Sequence, residues 1–394
     1  MSRGARGRGD VAGAPAGGAR ARRLGPLSPW SEAERGEVRR GGFDAALNAR
    51  ALRAGAILLV RRVFARALAA AALLLFAPMA ALADPPVCHG RDLADLAAAR
   101  PEALKKAETA RADWLVNASG LLWRVEKQGV APSYLFGTIH SSDDRAIALA
   151  HKAAEEIKGA KVVATELGGP IDKTAMAEYG AKLLVNALAQ DKDTFEPIAA
   201  EDRAAVEKYL AARGVNAELA HHIQLWFLAA TTAAPLCESQ RQAADLPIVD
   251  NVIAETAKDL GVKIVALETF EEQGATLAAL KPADAATILV GGAKKPGLDE
   301  DAYATLLDRY VVGRPVEAMP IIDASGLMSK EEIAAEDRFS LLLLRERNRV
   351  MAERAKPLIE AGGAFVAVGA FHLAGKDGLV ALLREQGWQV TPLW

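Results

Sequence analysis

Four residues of kinds that bind metal ions or move protons each follow a short apolar run. His140 ends Gly137-Thr138-Ile139-His140, after Tyr134-Leu135-Phe136. Glu166 follows Val162-Val163-Ala164-Thr165, and Glu268 follows Val262-Lys263-Ile264-Val265-Ala266-Leu267. His372 ends Gly369-Ala370-Phe371-His372, after Ala364-Phe365-Val366-Ala367-Val368. Imidazole and carboxylate ligate divalent ions of the Mn, Co, Zn or Fe kind, and the same groups serve as general acids and bases. One Gly-x-x-His carries little weight, because a histidine near a strand end is usually a loop residue. Two in matching contexts are more informative. Glu166 also reads as a helix cap or a surface charge. Glu268-Thr269 also reads as the opening of a helix whose first turn carries Glu271 and Glu272. His89, His151, His221 and His222 lack the strand-end context and read as structural or exposed.

The elements that must position these four residues follow from apolar periodicity. Segments 121–125 and 133–136, on either side of Gln128-Gly129, read as a β-hairpin. Segments 161–165, 262–267, 364–368 and 388–391 read as further strands, and 144–157, 251–260 and 377–386 as helices. Asp250 is placed to cap the second of these helices. Residues 171–232 are helical with a break near Gly214, and 270–354 are largely helical with breaks at Pro282, Gly291-Gly292 and Gly313–Pro315. The resulting fold class is α/β (α+β): a mixed central sheet flanked by helices, with a large helical insertion. Each Gly-x-x-His belongs to a strand–Gly-x-x-His–helix–strand unit, which suggests a pseudo-symmetric pair. In open α/β sheets ligands bind beyond the carboxyl ends of the strands, so neighbouring strands would bring two imidazoles and two carboxylates to one rim. The glycines are expected to supply positive-φ turns after each strand.

The N-terminal part reads differently. Arg61, Arg62 and Arg66 precede the apolar run 67–82, and Ala81-Leu82-Ala83 precedes Asp84-Pro85-Pro86. That is the layout of a signal peptide over 60–83, cleaved after Ala83. A transmembrane anchor is the weaker reading, because the run is short, Ala-rich and contains Pro78. Arg61-Arg62-Val63-Phe64 also bears a faint likeness to a twin-arginine signal. Residues 1–59 are rich in Gly, Ala and Arg without apolar period, and are read as a non-native or disordered extension. The domain is assigned to 84–394, and the expected location is periplasmic or secreted, with the membrane involved only through the signal peptide. From Asp84 onward 34 basic and 45 acidic side chains remain, so nothing there resembles a nucleic-acid surface. The two cysteines, Cys88 and Cys237, fall in this exported part, where an even count favours a disulfide.

Taken together, Tyr134–His140, Glu166, Leu267-Glu268-Thr269 with Glu272-Gln273, Arg347-Asn348, and Val368–Leu373 with Gly375 and Gly378-Leu379 resemble the TraB/GumN family, which includes the Tiki metalloproteases. That family is similar in fold to the erythromycin-esterase/ChaN-like group. The resemblance implies a divalent-metal-dependent hydrolase, with peptides or proteins among its substrates. On this reading His140, Glu166 and His372 hold the ion and leave a position for water. Glu268 takes a proton, Arg347 steadies an oxyanion, and Asn348 is a hydrogen-bonding neighbour. Two rivals stay open. One is a metal-independent esterase or hydrolase with a histidine base, and the other is a haem- or iron-binding protein.

Overall fold

In the computed structural model the described residues are 86–169, 173–189 and 192–394. The extension and signal-peptide readings, 1–59 and 60–83, lie outside them. In chain order the elements are α1 (Ala94–Ala98), α2 (Pro101–Ala110), β1 (Leu122–Lys127), β2 (Val130–Thr138), α3 (Asp144–Ala154), β3 (Val162–Thr165), α4 (Lys173–Ala187), α5 (Ala200–Ala211), α6 (Ala217–Ala220), α7 (Leu225–Thr231), α8 (Leu236–Ala243), α9 (Val249–Asp259), β4 (Lys263–Ala266), α10 (Phe270–Ala278), α11 (Pro282–Lys294), α12 (Leu298–Val311), α13 (Ala318–Ala324), α14 (Lys330–Glu360), β5 (Ala364–Gly369), α15 (Leu379–Glu385) and β6 (Gln389–Pro392).

The strands form one mixed sheet in the order β4-β3-β5-β2-β1-β6. Its first four strands are parallel, and β1 is antiparallel to both β2 and β6. Strand β5 is apolar throughout because both its faces are covered. Phe365 and Ala367 face one core with Phe136, Val163, Ala146 and Ala150 of α3, and Val252 and Ile253 of α9. Ala364, Val366 and Val368 face the other, with Leu135, Met351 and Ala355 of α14, and Leu379 and Leu383 of α15. A third core, containing Phe195, Leu210, Trp226, Leu289 and Phe339, lies within the helical insertion.

This layering places the site. The chain leaves β2 through α3 on one face and passes one strand to reach β3. It leaves β5 through α15 on the other face and passes two strands in the opposite direction to reach β6. The adjacent strands β2 and β5 are therefore the switch point of the sheet, where diverging loops open a crevice. The two Gly-x-x-His units share their order of elements but not their crossovers.

Four sequence expectations are corrected here. Gly291-Gly292 does not break a helix but lies inside α11, where a Cβ at Gly292 would come within 2.8 Å of the Tyr209 hydroxyl. Asp250 is not a cap: α9 begins at Val249, after Ile248, and the Asp250 carboxylate turns to Thr138 and His140. The strand-end glycines do not adopt positive φ; Gly369 has φ −48°. Their role is close approach. A Cβ at Gly137 would lie 2.9 Å from Ala370 Cα, and one at Gly369 would lie 3.3 Å from a Glu166 oxygen. Last, α1 and α2 precede the hairpin, packing Ala97 and Ala107 against Ala324 of α13 where no helix was expected.

Candidate active site

The parallel strands end on one rim, and strand order sets the order of the site. Glu268 follows β4, Glu166 follows β3, Ala370–His372 follows β5, and His140 follows β2. Thr138 pairs with Gly369 and Thr165 with Ala367, so the loops leave the sheet nearly level. The Glu268 N–H donates to the Glu166 carbonyl at 2.8 Å, which prolongs the ladder to both carboxylates. The capping alternative for Glu268 is answered by its neighbour. Thr269 is the cap of α10, in a capping box with Glu272, and Glu268 is buried just before it.

His372 is 4% exposed. Asn348 Nδ2 donates to the Asp377 carbonyl at 2.9 Å, which turns its Oδ1 to His372 Nδ1 at 2.6 Å. An amide oxygen only accepts, so the imidazole proton sits on Nδ1 and Nε2 keeps a lone pair. That lone pair faces Glu166 Oε1 across 3.7 Å. Burial, helped by the charges of Arg347 and His140, pushes the imidazole down to about 4 against the pull of Glu166. Burial also opposes ionisation of Glu166. The charges of His372, Arg347 and His140 and the Gly369 N–H outweigh it, and the carboxyl is lowered to about 2. That N–H reaches Oε1 at 2.8 Å.

Arg347 projects from α14 between the two carboxylates. Its Nη2 donates to Glu166 Oε2 at 2.9 Å and to Glu268 Oε2 at 2.6 Å, and its Nε donates to Glu268 Oε1 at 2.9 Å. Gln273 Nε2 bridges the same carboxylates at 3.1 and 3.3 Å. Both oxygens of Glu268 are thus engaged, and Arg347 is shared between two anions.

His140 is held otherwise. Its ring is 70% exposed, and Nδ1 meets Asp250 Oδ2 at 2.9 Å. Asp250 Oδ1 in turn accepts from the Thr138 hydroxyl at 2.6 Å. The Asp250 carboxylate, aided by Glu166 and opposed by Arg347 and by the partial loss of solvent where the ring meets the rim, raises His140 to about 9. His140 follows β2, the parallel neighbour of β5, so its loop leaves the same edge of the sheet as the His372 turn.

Residues 121–392 match the TraB/PrgY/gumN family. The chain belongs to that family. A curated relative, "Metalloprotease TIKI2" of Danio rerio, is 26% identical over 176 residues, which is 39% of this chain and 34% of the relative. The chain thus spans about a third of that relative's length. No solved structure matches.

In this TraB/PrgY/gumN chain the donors suit a divalent ion in their chemistry. Each histidine has Nδ1 tied to an oxygen acceptor and Nε2 left over, the arrangement in which outer groups orient metal-binding imidazoles. Two ligands about 2.1 Å from a tetrahedral ion stand about 3.4 Å apart. His372 Nε2 and Glu166 Oε1, at 3.7 Å, come near that separation. Among the described residues no three His, Cys, Asp or Glu side chains are drawn together as a ready ligand set, so His140 would have to swing in. A cavity of about 700 Å³, bounded by Trp123, Arg314, Arg384 and Pro392, includes none of these residues.

Sequence reasoning did not assign Asp250 or Gln273 to the site. Asp250 reaches His140 across 110 residues of chain, and Gln273 reaches Glu166 across 107. Their types announce nothing. The one signal available was Gln273's place in the Glu272-Gln273 segment of the family resemblance. Among the histidines set aside, His221 is structural: its ring lies between Asp193 and Glu207 and stacks on Phe195.

Proposed function

We propose that this chain is an exported, divalent-metal-dependent hydrolase in which His372, Glu166 and His140 hold the ion. The observation that carries the reading is His372 Nε2 facing Glu166 Oε1 across 3.7 Å while Nδ1 is held by the Asn348 oxygen, so that the neutral imidazole turns a lone pair to the carboxylate. Two acceptors held face to face repel unless a cation lies between them. When bound, such an ion acidifies a water and polarises the bond to be cut. The protein's own residues do the rest. Asn348 fixes the tautomer of His372, and Asp250 orients His140. Arg347 and Gln273 pin Glu166 through Oε2 and leave Oε1 toward the rim. With both oxygens on Arg347, Glu268 serves better as the anchor of that guanidinium than as a free base. The name of the zebrafish relative makes peptide bonds the first substrates to try.

A second reading rests on the unlike partners of the two imidazoles, a carboxylate for His140 and a neutral amide for His372. One imidazole is raised to about 9 and the other lowered to about 4. Split values of this kind mark an acid–base pair, with His372 as base on water and His140 as acid to the leaving group. Elemental analysis of the purified protein, beside His140→Ala and His372→Ala, separates the two. About one Mn, Co, Zn or Fe per chain, lost in either variant together with chelator-sensitive peptidase activity, is the expected result. Hydrolysis indifferent to chelators, with no ion bound, would establish the acid–base mechanism instead. The export proposal rests on the Arg–apolar–Ala81-Leu82-Ala83 layout. Mass spectrometry of envelope protein should find Asp84 first, and a mature chain retaining residues before Arg61 would overturn it.

A further inference from the structure

Helix α8 (Leu236–Ala243) contributes nothing to the rim, yet three of its side chains hold the loop that carries His140. Glu238 is 1% exposed and fully engaged. Its Oε1 accepts from the Ser142 N–H at 2.9 Å and from Gln242 Nε2 at 3.0 Å. Its Oε2 accepts from the Ser142 hydroxyl at 3.1 Å and from the Tyr303 hydroxyl at 2.9 Å. Arg241 Nε donates to Ser142 Oγ at 2.9 Å, and its Nη2 donates to the Ser142 carbonyl at 3.0 Å. Gln242 Nε2 also reaches the His140 carbonyl at 3.3 Å. Ser141 is tied as well, with its Oγ 2.6 Å from the Tyr303 hydroxyl.

The helix is itself anchored. Cys237, next to Glu238, is joined to Cys88. The segment around Cys88 lies along α12, where Glu300 accepts from the His89 N–H, Asp301 from the Arg91 N–H and Thr305 from the Leu93 N–H. The same helix supplies Tyr303 to Glu238. The clamp is therefore a closed ring: the His140 loop, α8, the disulfide, the segment 88–93, α12, and Tyr303 back to Glu238.

A buried carboxylate is tolerated only where donors compensate it. Here every donor is a residue of the His140 loop or one that braces it. The contrast with His372 gives this its meaning. His372 is enclosed and takes its position from packing and Asn348. The His140 ring is mostly exposed and has Asp250 as its side-chain partner, so the path of its backbone decides where the ring stands. We propose that Glu238 is a positioning residue for His140, and that the Cys88–Cys237 disulfide fixes the helix that presents it.

The inference rests on His140 belonging to the site proposed above, but its test needs neither metal nor substrate. The ring C–H signals of His140 and His372 are assigned by NMR in metal-free protein and compared with Glu238→Gln. The His140 signals should move while those of His372 stay, with near-ultraviolet dichroism unchanged. Gln242→Ala, which removes the bond to the His140 carbonyl and one donor to Glu238 but leaves the carboxylate with its bonds to Ser142 and Tyr303, should move them the same way by less. It carries the test alone if Glu238→Gln does not fold. Co(II) affinity should fall about tenfold in Glu238→Gln, the usual effect of losing an outer support. His140 signals unmoved in every variant that folds, or both histidines moving together, would overturn the proposal. A protein that takes up no Co(II) while His140 still moves would keep this inference and remove the metal one.

Discussion

Asp250 and Asn348 do the same geometric work on the two histidines with opposite electrical results. Each accepts from an Nδ1, but Asp250 is an anion that stabilises an imidazolium, whereas Asn348 is neutral and leaves burial to decide. His140 therefore keeps its proton up to about pH 9, and His372 is neutral above about 4. An ion entering at neutral pH displaces one proton, that of His140. Its affinity should then rise about tenfold per pH unit from roughly 6.5 to 9 and level off above. Titration calorimetry in two buffers of different ionisation enthalpy should count about one proton released at pH 7. Asp250→Asn should bring the levelling-off down toward 6.5, and a pH-independent affinity in the wild type would contradict the assignment. Arg347 invites a second test. Removing it as Arg347→Met leaves two buried carboxylates without their cation, a loss of about 3–5 kcal/mol. Urea unfolding at pH 7 measures it. The deficit should shrink at pH 5, where the abandoned carboxylates can protonate; a loss under about 1 kcal/mol would mean that solvent already compensates them.

At the scale of elements, the site depends on two strands approaching more closely than side chains allow. Gly137 on β2 lies against Ala370, in the turn that presents His372, and Tyr310 donates to the Gly137 carbonyl at 2.8 Å. Gly137→Ala forces that turn away from the sheet. Its expected effect is a loss of about 1–3 kcal/mol, as for other overpacked cores, with a larger fall in activity than the stability loss explains. Thermal melts and peptide turnover on the same preparation make the comparison, and full activity at a lowered melting temperature would show that the turn relaxes without moving His372. This contact also marks what a sequence can disclose. Strand β5 was legible because a strand covered on both faces is a continuous apolar run, the hairpin β1–β2 because Gln128-Gly129 divides two apolar segments, and the four rim residues because each follows an apolar segment. The reason for glycine at 137 was not, since a positive-φ turn and a close approach demand the same residue. Nor were Asp250, Gln273 and Glu238, which meet their partners only after α9, α10 and α8 have packed against loops 96–110 residues away in the chain. The long helix α14 was half legible. Its Arg345–Arg349 run reads as a solvated face, but the helix turns Arg347 and Asn348 inward while Arg345 and Arg349 remain outside.

For the molecule as a whole, the disulfide ties together what the chain order separates. Cys88 and Cys237 are 149 residues apart, and the loop they close contains β1, β2, β3 and helices α4–α7 of the helical insertion. Among the described residues no helix is long and apolar enough to cross a membrane. Closing so long a loop removes conformations mainly from the unfolded chain, and the chain-entropy account gives about 3–5 kcal/mol. The folded state should change little on reduction away from α8, because the segment 88–93 keeps its hydrogen bonds to α12. The prediction is a pair of measurements. Adding a phosphine reductant should lower the urea midpoint at pH 7, and Cys88→Ser should show the same lowered midpoint with or without reductant. The slope of the transition should also steepen, because an unfolded chain without the cross-link exposes more surface. A midpoint unmoved by reduction would mean that the compact insertion already restrains the unfolded loop. A drop in the reduced wild type well beyond that of Cys88→Ser would mean that the reductant acts elsewhere than on this bond.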